Sequence, residues 1–139
     1  MEPSNRPALS DFLKTSREAL GYLKDFGFIE ISPPANRYQN PYEIWFKADD
    51  RFVVVAGEGW GDFGSIRLEH SKGVELHEIY LVPEEKRPGS LSKKRNAAGQ
   101  LDQIRNAAER LRQHGVDFLE GNLERFFKLA KPLPPYRRR

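Results

Sequence analysis

An α+β fold is what this sequence predicts, and three features of the chain predict it. The stretch YEIWFKA-DD-RFVVVAG alternates apolar and polar residues with the period of two that a pleated strand requires. An amphipathic stripe of helical period precedes it, and two more follow. The order of helix, sheet and then helices fits an antiparallel sheet of about four strands with the helices packed on one of its faces.

Leu9, Phe12, Leu13, Ala19, Leu20, Leu23 and Phe26 share one face of a first helix, with Asn5 or Ser10 as N-cap and Gly27 as the stop. Phe28 to Ile31 reads as an edge strand, which Pro33 and Pro34 end. In the hairpin, Tyr42, Ile44, Phe46 and Ala48 alternate with Glu43, Trp45 and Lys47, and Asp49-Asp50 makes the turn, since aspartate tolerates positive φ better than most residues. Ser65 to Glu69 is the next strand. Val74, Leu76, Ile79, Leu81 and Val82 read as a fourth, although the alternation slips between Leu76 and Ile79 and allows a bulge or a helical turn there. PEEKRPGSLSKKR is a charged loop. A helix from about Asn96 carries Leu101, Ile104, Ala108 and Leu111 and stops at Gly115, and a single turn follows around Phe118-Leu119. Asn122 caps a last helix whose buried side is Leu123, Phe126, Phe127 and Ala130, before the prolines of PLPPYRRR force an extended tail.

The 139 residues suffice for one core, so a single domain spanning 1–139 is expected, with 1–6 and 132–139 flexible. No cysteine is present, which excludes disulfides, thiolate metal sites and a cysteine nucleophile and fits a cytoplasmic home. No apolar run is long enough for a bilayer span, and the first residues lack the pattern of a signal peptide. The net charge of +3 conceals an asymmetry: residues 1–41 are neutral, 42–82 carry eight acids against four bases, and 83–139 carry seven acids against fourteen bases. An acidic sheet and a basic C-terminal third are therefore two different candidate surfaces.

GEGWGDFG holds four glycines. Strands flank it on both sides, and Glu58 and Asp62 repel anions, so it is no phosphate loop; it reads as a hairpin connection with glycine at positive φ, or as a binding loop that displays Trp60 and Phe63. The three histidines, His70, His77 and His114, lack metal-motif spacing, although His70 and His77 could meet across adjacent strands. The acid pairs Asp49-Asp50 and Glu84-Glu85 point apart, and no serine sits in a nucleophile elbow, so no catalytic residue, cofactor or metal is assigned. Lys93, Lys94 and Arg95, with Arg137, Arg138 and Arg139, form the pattern that attracts phosphate backbones.

LGYLKDFGF, EIWFKADDRFVVVAGEG and LRQHGVDFLEGNLERFFKL together resemble a loose set of small bacterial proteins, some of them immunity proteins encoded beside polymorphic or contact-dependent toxins. Gly27-Phe28 matches that set's helix-to-sheet step, and Phe118 to Asn122 with Phe126 approximates its Ile/Leu-Leu-x-Gly-Asp/Asn step and closing aromatic, over about residues 9–130. The resemblance implies a protein that neutralises a toxin domain by binding it, and because the helical stripes and the sheet face suffice for one core, a monomer or small oligomer is expected. Where such a toxin is a basic nuclease, the acidic sheet is the docking surface, with Glu43, Trp45, Glu58, Trp60, Asp62 and Phe63 as contacts. The alternative is a nucleic-acid-associated accessory protein that uses the basic third.

Overall fold

The computed structural model describes residues 9–34, 40–59, 61–87 and 99–135. It is an α+β structure. Six strands, β1 (Ile29–Ile31), β2 (Glu43–Ala48), β3 (Arg51–Ala56), β4 (Ser65–His70), β5 (Val74–His77) and β6 (Lys131–Pro132), form one antiparallel sheet in the order of the chain. Four α-helices accompany them among the described residues: α1 (Leu9–Ala19), α2 (Gln100–His114), α3 (Val116–Glu120) and α4 (Glu124–Leu129).

The pleat sorts the side chains. Ile44, Phe46, Val53, Val55, Ile66, Leu68 and Leu76 face the helices and join Phe12, Ile104, Leu111, Phe118 and Phe126 in the main core. Ala48 pairs with Arg51 across the turn, where Asp49 takes φ 55°. The neighbouring β4–β5 turn needs Gly73 at φ 87°. Arg51 also faces the helices, and its Nη1 donates to the carbonyls of Phe118 (2.8 Å) and Leu119 (2.6 Å). These carbonyls lie in the last turn of α3, where the helix dipole favours a cation.

Several expectations are corrected. The first helix does not run through to Phe26: it stops at Ala19, and a 3-10 helix, Gly21–Phe26, takes over at a glycine that contributes nothing to helix stability. Leu23 stays buried, and Gly27 closes the segment at φ 87° as expected. The fourth strand ends at His77, and the slip in alternation marks a 3-10 helix, Glu78–Leu81. The sheet has six strands, not about four. Among residues 132–139, expected to be flexible, Pro132 lies in β6, and Leu133 is 4 % exposed with its N–H donated to the Gly73 carbonyl (2.9 Å). Proline fits there because an edge strand has donors it need not use. Phe127, expected on the buried side of the last helix, is exposed and lies against His70. Asn122 falls one residue short of the N-cap, which is Leu123 with no side-chain cap bond, although Asn122 Oδ1 does accept from the Glu124 N–H (3.3 Å). No helix among the described residues is long and apolar enough to cross a membrane.

Candidate functional site

The contact residues expected on the acidic sheet separate into two groups. Glu43 and Trp45 lie on the sheet face turned away from the helices, and Glu58, Asp62 and Phe63 lie in the connection between β3 and β4. Trp60 lies outside the described residues, as do Lys93, Lys94, Arg95, Arg137, Arg138 and Arg139.

Trp45 is not an exposed anchor. It is 1 % exposed, packed edge-on against Phe52 (5.5 Å between centroids) in a small second core with Val54. Its Nε1 donates to Glu43 (2.9 Å), and the Arg67 guanidinium lies 5.6 Å from its ring. Arg67 reaches three carboxylates, Glu69 at 2.6 Å, Glu43 at 3.4 Å and Glu75 at 4.0 Å. One cation thus links β2, β4 and β5, and Glu43, expected as a docking contact, is engaged with Glu69 and Glu75 in holding the sheet together.

The connection from Gly57 to Gly64 is different. Two glutamines of α2's first turn grip it: Gln100 Oε1 accepts from the Glu58 N–H (2.6 Å), and Gln103 accepts from the Gly64 N–H (3.1 Å) and donates to the Asp62 carbonyl (2.8 Å). The Gln100 backbone N–H adds a bond to the Gly61 carbonyl (3.0 Å). The glycines serve close approach more than positive φ, which among them belongs to Gly61 (79°) alone of the described four-residue set 57, 59, 61 and 64. A Cβ at Gly57 would stand 2.6 Å from Gln100 Oε1, and one at Gly64 would stand 2.6 Å from Ile104 Cγ1. On this fixed loop Phe63 is 37 % exposed beside the half-buried Asp62. Gln100 and Gln103 escaped the sequence reading, because two glutamines at helical spacing signal nothing until the loop they hold is known.

The histidines do not meet. His70 faces the helices, and His77, which pairs with Arg67, faces the other way. His70 Nδ1 accepts from the Lys72 N–H (3.1 Å), and burial, helped by the charges of Lys72 and Arg51, pushes its pKa down. Among the described residues no three His, Asp or Glu side chains gather as a metal site. Glu78 is buried against α2, where loss of hydration raises its carboxyl to about 7 even though Arg110 donates to it (2.9 Å). Arg125 joins the ends of three segments: it forks onto Asp117 (2.8 and 3.1 Å) and donates to the carbonyls of Leu81 and His114. Its bonds hold the Asp117 carboxyl below the usual carboxylate range. These groups are spread through the packing of the helices and converge on no shared cleft. Compared with known proteins, the chain matches no family model, no curated protein and no solved structure.

Proposed function

We propose that this protein acts by binding a macromolecule, as an immunity protein that neutralises a toxin domain, and that the Gly57–Gly64 loop is its docking feature. One observation carries the reading: the loop is fastened to α2 by four hydrogen bonds and still presents Phe63 to solvent. A loop ordered in advance loses little freedom on binding, and an exposed aromatic ring on such a support is the kind of anchor that dominates interface energies. Asp62 and Glu58 give the loop a negative character that suits a basic partner. Trp45 and Glu43 support the sheet beneath and are not contacts in this version of the interface.

The test starts from the gene neighbourhood: a toxin gene directly beside this one supports the reading and its absence counts against it, and co-expression with such a toxin domain, with affinity measured on the purified pair, follows. Wild-type protein should protect growth, and Phe63→Ala should weaken binding by roughly thirtyfold, the size of a typical hot-spot loss. Asp62→Lys should slow association in a salt-dependent way. If both variants remain folded and bind as the wild type does, the loop is not the interface.

A further inference from the structure

Beside β5 and β6, away from the clamped loop, lies a pocket of about 410 Å3, a size that small-ligand sites commonly have. Leu76 and Leu129 supply its apolar surface, and Tyr80 forms a wall while remaining 52 % exposed. An exposed tyrosine in a concavity is open to a planar partner. His77 stands edge-on to the Tyr80 ring at 6.5 Å. The Arg87 guanidinium lies 5.2 Å above that ring, and its Nε is tied to the Val82 carbonyl at 2.8 Å, so the fork is fixed in place, with no further hydrogen bond from it among the described residues. Lys131 of β6 lines the same pocket. Neither Arg87 nor Lys131 forms an ion pair among the described residues. The carboxylate in the wall, Glu75, stands opposite Lys131 in the β5–β6 register and lies 4.0 Å from Arg67 of the second sheet face.

Two cations that form no ion pair among the described residues, placed beside an exposed aromatic ring, define a ligand with an anionic end and a planar end. Arginine's fork matches phosphate oxygens, lysine adds a point charge, and a tyrosine face accepts a base of any sequence. We propose that this pocket binds a nucleoside phosphate, with the base stacked on the face of Tyr80 that Arg87 leaves uncovered and the phosphate held by Arg87 and Lys131. The nucleotide belongs either to a free mononucleotide or to a single strand passing over the pocket, and the chemistry of recognition is the same. The proposal stands independently of the Gly57–Gly64 loop.

The experiment titrates AMP, adenosine and a short oligoadenylate into full-length 15N-labelled protein. AMP should move the amide signals of Tyr80, Arg87 and Lys131, and adenosine should bind more weakly because it lacks the phosphate. Tyr80→Ala and Lys131→Glu should each reduce AMP affinity by about tenfold. Tyr80→Phe should retain it, because the ring remains. An oligoadenylate that binds far more tightly than AMP, and loses affinity steeply with salt, identifies the strand as the source; equal affinities identify the free nucleotide. The proposal is overturned if neither AMP nor the oligoadenylate moves those signals, or if folded Tyr80→Ala and Lys131→Glu bind AMP as the wild type does.

Discussion

Arg51 shows what one buried side chain can do for several elements. It stands on β3, its guanidinium lies 5.1 Å from the Phe28 ring, and its Nη1 serves two carbonyls at the end of α3. Arg51→Met should therefore destabilise the protein by about 3 kcal/mol, because it strips two buried acceptors of a charged donor; the shift in the urea midpoint at unchanged slope measures it. Glu78 makes a prediction about pH. Its folded pKa of about 7 lies above the ordinary 4.5, chiefly through burial, so the folded state holds the proton more tightly than the unfolded chain does. Stability from this group is complete below about 4.5 and falls as pH rises through about 7. Glu78→Gln should flatten that decline and raise stability at pH 8 relative to wild type, while changing little at pH 4; thermal unfolding across the range reads it out. Asp117 runs the other way. Its lowered pKa, caused first by the Arg125 hydrogen bonds, supports the fold above the usual aspartate range and is lost as pH falls.

At the scale of elements, the Gly57–Gly64 connection separates two reasons for glycine that a sequence cannot tell apart. Flanking strands make the connection legible, but the residues that crowd it, Gln100 and Ile104, lie about forty positions downstream and become neighbours through tertiary packing alone. A Cβ at Gly64 meets Ile104 Cγ1 at 2.6 Å and the Gln100 backbone oxygen at 2.7 Å, whereas one at Gly59 meets Tyr42 at 4.0 Å. Gly64→Ala should cost about 1–3 kcal/mol as an overpacking change. Gly59→Ala should fall within about 0.5 kcal/mol of wild type, and paired denaturation curves distinguish the two. The helices were legible as stripes, and their ends were less so. Gly21 gave a local reason for α1 to stop early, yet Leu23 and Phe26 continued the stripe because a 3-10 helix also returns side chains to one face. Trp45 misled for a related reason. Alternation correctly placed it opposite Ile44 and Phe46, but period alone says which side a residue faces and not whether that side is open.

Taken whole, the molecule is a sheet whose strands follow one another in the chain, with helices from both of its ends gathered on one face. The last strand is part of that design. Its proline is visible in the sequence, but its pairing is not, since two residues carry no pattern; the anchor is Leu133, buried and bonded to Gly73. Ending the chain at Ala130 should lower stability by about 2 kcal/mol, the value of one buried leucine, as a fall in the urea midpoint. The meander has a further consequence, in time. Strands β1 to β5 each meet a near neighbour in the chain, so that part of the sheet can assemble through short loops, whereas β6 reaches β5 from far downstream and the 3-10 helix after α1 meets α2 across most of the sequence: the Tyr22 hydroxyl donates to the Ala108 carbonyl at 2.7 Å over a separation of 86 positions. Closing so large a loop is rewarded only after the sheet exists to receive both helices. Tyr22→Phe should therefore raise the unfolding rate several-fold and leave the folding rate nearly unchanged, a displacement confined to one arm of the chevron. The clasp between the two helices sets how long the native state lasts, and the hairpins set how quickly it is reached.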